Sequence, residues 1–181
     1  MTTIAYRDGQ LAADSQFSVN GMAEVGAVKI KVATNDSDWR VMGKRVVAFA
    51  VDRPGVSVME FVRRALADGL TEKLPLISAN FRGIQAMLIT EEGECFTWVY
   101  THMPLLHNEI YHQLRCHTGP WAIGTGRSYA MGAMAVGGTV HEAVLAGISL
   151  DVFSGGDVQG FDLQEYLDNQ AAERADLVGN H

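Results

Sequence analysis

The sequence predicts an α+β domain with helices layered on antiparallel sheets. Two hairpin signals, over residues 2–14 and 84–100, carry the sheet prediction, and three helical segments set apart from them along the chain carry the rest. The composition agrees: 48% hydrophobic against 19% charged residues over 181 positions builds a packed core, with too little chain for two comfortable domains.

The elements follow in order. Thr2-Thr3-Ile4-Ala5-Tyr6 is rich in β-branched residues, Arg7-Asp8-Gly9 supplies a turn, and residues 10–14 run back. Residues 25–32 and 44–51 are two further strand candidates, joined through a turn at Asn35-Asp36-Ser37-Asp38. A helix opens at Ser57, where Ser57 and Glu60 match a capping box; Val58, Phe61, Val62, Ala65 and Leu66 share one face, and Gly69 marks the stop. Residues 84–90 and 95–100 form the second hairpin around Glu91-Glu92-Gly93-Glu94. Residues 101–120 read as irregular. Trp121-Ala122-Ile123 is a short strand entering Gly124-Thr125-Gly126, and residues 128–135 form a helix that Gly137-Gly138 ends. Thr139 and Glu142 match a second capping box for a helix to about Asp151, which Ser154-Gly155-Gly156 breaks before a last strand at 158–163. The weak helical pattern beyond makes 2–163 the domain and 164–181 a C-terminal tail.

Charge and hydropathy exclude several classes. A net charge of -7 with no basic cluster excludes a nucleic-acid partner. The longest apolar run, residues 46–51, falls far short of the roughly 20 residues of a membrane span. No basic segment leads into an apolar one at the start, and two cysteines make no disulfide framework, so the expected location is the cytoplasm with both thiols reduced. His102, His107, His112 and His117 recur every five residues beside Cys116. That step rotates successive side chains by about 140° on a helix and alternates faces on a strand, so no metal site is expected. Trp39, Trp98 and Trp121 are expected in the core or at an interface.

The chemistry starts at Thr2. A small residue in second position lets the initiating Met1 be removed, which gives Thr2 a free α-amino group beside its own hydroxyl. Such an amine has a reference pKa of about 7.7–8.0, so it serves as general base for the hydroxyl of the same residue. Asp14 ends the returning strand and can lie near Thr2. An ammonium from Lys29 would lower the amine's pKa by like-charge repulsion and stabilise a threonine alkoxide, with Asp14 holding it in place.

With Thr2-Thr3-Ile4, Asp14 and Lys29, the turn Trp121-Ala122-Ile123-Gly124-Thr125-Gly126, and Leu150-Asp151-Val152-Phe153-Ser154-Gly155-Gly156 in this order, residues 2–163 resemble the proteasome β subunits and the bacterial peptidase HslV, the proteasome-type N-terminal nucleophile (Ntn) hydrolases. The resemblance implies a four-layer α-β-β-α sandwich of two antiparallel sheets. It implies a threonine endopeptidase with Thr2 as nucleophile and Asp14 and Lys29 as its electrostatic partners. Thr125, Asp151 and Ser154 would then orient the chain start. It also places the oxyanion-binding N–H at Ala48, and Val46 near the floor of the pocket for the residue before the cleaved bond. The segment 71–83 is too short for the family's second long helix, so a shortened helix is expected there. No cofactor is implied. The implied partners are a peptide or unfolded protein substrate, further copies of the chain in a homo-oligomeric ring, and a separate unfolding ATPase, since no GxxxxGK[ST] loop occurs here. A small-molecule amidase using the same threonine and a catalytically silent shell or scaffold protein are the alternatives.

Overall fold

The computed structural model describes residues 2–19, 22–75, 83–103 and 109–179. Chain order gives β1 (Thr3–Arg7), β2 (Gln10–Asp14), β3 (Phe17–Val19), β4 (Met22–Glu24), β5 (Ile30–Val32), β6 (Arg40–Val41), β7 (Lys44–Val51) and α1 (Val56–Ala67). Then come β8 (Gly83–Thr90), β9 (Cys95–Met103), β10 (Glu109–His117), β11 (Trp121–Gly124), α2 (Arg127–Ala135), α3 (Val140–Leu150), β12 (Val158–Asp162) and α4 (Leu163–Gly179). One antiparallel sheet runs β11-β1-β2-β12, and a second runs β10-β9-β8-β7-β5 with β6 also on β7; β3 and β4 pair by themselves. No helix among the described residues is long and apolar enough to cross a membrane.

Strand alternation sorts the chain into three cores. On β1 and β2, Ile4, Tyr6, Leu11 and Ala13 face the second sheet, while Ala5 and Ala12 face α2 and α3. On β7, Val46, Phe49 and Val51 pack toward α1, whereas Val47, Ala48 and Ala50 pack between the sheets. The alternation breaks at Val47-Ala48 because the β7–β8 register shifts there, a bulge that sends two consecutive residues to one side.

The first hairpin closes through Asp8 and Gly9 at φ 50° and 84°, the left-handed pair a two-residue turn of matching twist requires. Thr139 and Glu142 cap α3 reciprocally. The expected box at Ser57 does not form: α1 starts at Val56 with Gly55 as N-cap and no side-chain cap, and Glu60 turns to Arg63 and Arg64 instead. The strand expected over 25–32 is strand only at Ile30–Val32. Where the sequence read as irregular, residues 101–103 and 109–117 are strand: β9 runs on to Met103 and pairs with β10 at nine positions. Of the segment expected to hold a shortened second helix, residues 71–75 are not helical and 76–82 lie outside the described residues. The tail begins as α4, whose Tyr166 and Leu167 pack on the intersheet core.

Residue 3 sits where β1 crosses α3, and the crossing is tight. A Cβ at Gly147 would stand 2.3 Å from Thr3 Oγ1 and 2.7 Å from its Cγ2. Gly147→Ala is therefore expected to destabilise the fold by about 1–3 kcal/mol, as overpacking does. Urea unfolding measures this, and an unchanged midpoint would refute the close approach.

Candidate active site

Four segments converge on the start of β1. Strand β2 ends at Asp14, directly opposite that start. Its Oδ1 accepts from the Thr2 hydroxyl, from Thr3 N–H at 2.8 Å and from Lys29 Nζ at 2.7 Å. Its Oδ2 accepts from Gln16 N–H at 3.3 Å and Gly155 N–H at 3.0 Å. Lys29 Nζ also donates to Thr2 Oγ1. Thr2, Asp14 and Lys29 are all 0% exposed. Burial pushes the Lys29 ammonium below its ordinary range, and the hydrogen bond and charge of Asp14 oppose that shift.

A second group adjoins the first. Ser154 Oγ lies 2.7 Å from Thr3 Oγ1 and donates to Asp151 Oδ2 at 2.8 Å. Thr125 Oγ1 donates to the same oxygen at 2.5 Å and reaches the Thr2 carbonyl at 3.5 Å. Burial works to raise the Asp151 carboxyl, but the hydrogen bonds from Thr125, Ser154 and Phe153 N–H outweigh it and hold the pKa below the usual range. Gly124, at φ 92° and paired with Thr3, lets β11 close on this corner: a Cβ there would meet the Thr2 carbonyl oxygen at 2.1 Å.

Six of the residues singled out in the sequence, Thr2, Asp14, Lys29, Thr125, Asp151 and Ser154, thus lie in two linked clusters. Val46 and Ala48 do not join them. The residue of β7 that meets Lys29 is Val51, whose N–H donates to the Lys29 carbonyl at 3.2 Å. Ala48 is three residues and Val46 five residues back along the strand, roughly 10 and 16 Å at 3.3 Å per residue. Ala48 is fully buried between Val32 and Ile89, and Val46 packs toward α1. The β5–β7 pairing, with Ile30 opposite Ala50, sets this distance, and the apolar run of β7 does not reveal it.

Two contributors have little signature in the sequence. Gln159 on β12 accepts from Lys29 N–H at 2.9 Å through Oε1 and donates to the Ala27 carbonyl through Nε2, which fastens the segment before β5 to the other sheet. Asp52, next after β7, accepts from Gln85 N–H at 2.9 Å and adds negative charge near Lys29; burial pushes its own carboxyl up. Its place at the end of β7 is the signal that could have found it.

The histidines lie elsewhere. Trp98 Nε1–H donates to His112 Nδ1 at 2.9 Å, so His112 Nε2 carries the proton that faces the Thr71 carbonyl at 2.9 Å. His117 stacks on Trp121 with ring centroids 4.1 Å apart. His107 lies outside the described residues, and so does the side chain of His102. No metal-ligating group of three or more appears among the described residues. Trp98 is fully buried and Trp39 nearly so, both in the core under α1.

No family model matches the chain, and no curated protein matches it. Two solved structures of Thiobacillus denitrificans BPH are similar to the chain. The one in complex with epoxomicin is 18% identical, with a TM-score of 0.48 over 90% of this chain and 98% of that one. The other is 17% identical, with a TM-score of 0.42 over 90% and 97%. The chemistry of the site therefore stands on this chain's own geometry.

Lys29→Met removes one half of a fully buried ion pair and leaves Asp14 without its counter-charge, at an expected cost of about 3–5 kcal/mol. Chemical unfolding reads this directly, and a loss below 1 kcal/mol, roughly the ceiling for an exposed pair, would show the pair to be solvated. For Asp151 the folded pKa lies below the unfolded value of about 3.9, so the unfolded chain binds more protons between the two. Its stabilisation is complete above that value and is lost as pH falls through the folded one. Asp151→Asn should lower the melting temperature at neutral pH and narrow the gap to wild type in acid. Melting curves that stay equally far apart from neutral pH into acid would contradict the assignment.

Proposed function

We propose that this chain is a proteasome-type Ntn hydrolase, a threonine endopeptidase whose nucleophile is Thr2 after removal of Met1. The observation that carries the reading is the enclosed contact of the Thr2 hydroxyl with both Lys29 Nζ and Asp14 Oδ1. The α1 core, the intersheet core and the α2–α3 core, stacked in that order, support a four-layer α-β-β-α sandwich.

Lys29 supplies a positive charge at the hydroxyl that lowers the cost of forming the alkoxide, and its charge favours the neutral form of a neighbouring amine. Thr2 Oγ attacks a peptide carbonyl and passes its proton to the Thr2 amine. Collapse of the tetrahedral intermediate breaks the C–N bond, the proton goes to the leaving amine, and an ester-linked acyl-enzyme remains. Water, deprotonated by the same amine, hydrolyses the ester and restores Thr2. Asp14 keeps Lys29 charged and aimed, while Thr125, Asp151 and Ser154 hold the segment that carries the amine.

The same reading sets the site in a self-compartmentalised homo-oligomeric ring in the cytoplasm, acting on peptides or unfolded protein delivered by a separate ATPase. Val136, Leu150 and Val152 leave apolar surface at the C-terminal ends of α2 and α3 for contacts between copies to cover.

Intact mass should show the loss of one methionine and, after a peptide boronate or β-lactone, one adduct on Thr2. Thr2→Ala should abolish the adduct and leave the melting transition in place. Retained Met1 in unblocked protein, or undiminished labelling of Thr2→Ala, would remove Thr2 from this role.

A further inference from the structure

A cleft of about 1120 Å³ opens beside the Lys29 segment. Ala27 and Val28 line it from one side of Lys29, and Lys31 and Val32 from the other, so it passes directly along the chain that carries the ammonium. The facing wall is one stripe of α1: Val56, Met59, Glu60, Arg63 and Arg64 fall at i, i+3, i+4, i+7 and i+8.

The charges in this lining are not balanced. Among the described residues of the lining, Glu60 is the one acid, shared between Arg63 at 2.5 Å and Arg64 at 2.9 Å, and Lys31 is a third cation. Three cations against one anion leave the described lining at +2, on a chain whose net charge is -7. Guanidinium forks match carboxylates in geometry, and a cleft lined by one sign of charge attracts the opposite one. The apolar surfaces of Val28, Val56 and Met59 suit the methylene stems that carry such carboxylates.

We propose that this cleft binds an acidic stretch of the substrate peptide, taking Asp or Glu side chains next to the bond presented to Thr2. The inference deepens the hydrolase reading and rests on it for the placement of that bond.

The test separates binding from turnover. Full-length Thr2→Ala protein is titrated into fluorescein-labelled peptides that differ only in carrying Glu, Gln or Lys at the same positions, with fluorescence anisotropy as the readout. The Glu peptide should bind at least about threefold tighter than the Gln peptide, the scale expected for partly exposed charge pairs, and the Lys peptide weakest. The preference should shrink as salt is raised and vanish or invert in Lys31→Glu/Arg63→Glu. If that variant fails to fold, Lys31→Gln/Arg63→Gln should still abolish the difference between the Glu and Gln peptides. Equal binding of the three peptides, preference for Lys, or no binding of any of them overturns the proposal. Preference for Glu together with a wild-type chain that hydrolyses none of the peptides supports the cleft assignment and counts against the hydrolase reading alone.

Discussion

The structure is organised around a charged pair that water does not reach. Burying a carboxylate and an ammonium costs several kcal/mol per ion, and the mutual attraction offsets this only when the remaining hydrogen-bonding capacity is filled. Asp14 meets that condition: one oxygen takes Thr2, Thr3 and Lys29, and the other takes Gln16 and Gly155. Each donor comes from a defined place, namely the start of β1, the end of β2, the approach to β5 and the loop between α3 and β12. The pair therefore ties both sheets and the α3–β12 loop to one point, and misplacing any of them would strand a charge.

Small residues make the convergence possible. Ala5, Ala12 and Ala122 present a low surface on which α2 and α3 settle, and Gly147 removes the last side chain between α3 and Thr3. This brings Ser154 within reach of the Thr3 hydroxyl and joins the Asp151 group to the Asp14 group. The two groups differ in character. The Asp14 group is wholly enclosed, whereas Thr125 lies at the surface although it donates to Asp151.

Much of this was legible from residue types because local chemistry fixed it. Asp8-Gly9 can hardly be anything but a tight turn, the Thr139/Glu142 box opens α3, and β7 covers the expected residues 44–51. The hairpin turn in turn brings Asp14 back to Thr2. What stayed hidden depended on partners distant in sequence. Strand β10 is carried by nine pairings with β9 and mixes polar, aromatic and basic residues, so its own pattern is silent. Ser57 lost its capping role because Gly55 already starts the helix and two arginines claim Glu60. The distance of Val46 and Ala48 from Lys29 depended on the β5–β7 register, and a pairing register leaves no mark in composition.

Gln159 shows how geometry and charge can be kept apart. Its amide offers one acceptor and one donor, and both are used on the backbone that flanks Lys29. Glutamate there would turn an acceptor toward the Ala27 carbonyl, and lysine would bring only donors to a waiting N–H. A neutral amide thus anchors the main chain of the cationic residue while adding no net charge to its surroundings. Substitutions elsewhere around the ammonium can then retune its proton affinity without unmooring the segment that carries it.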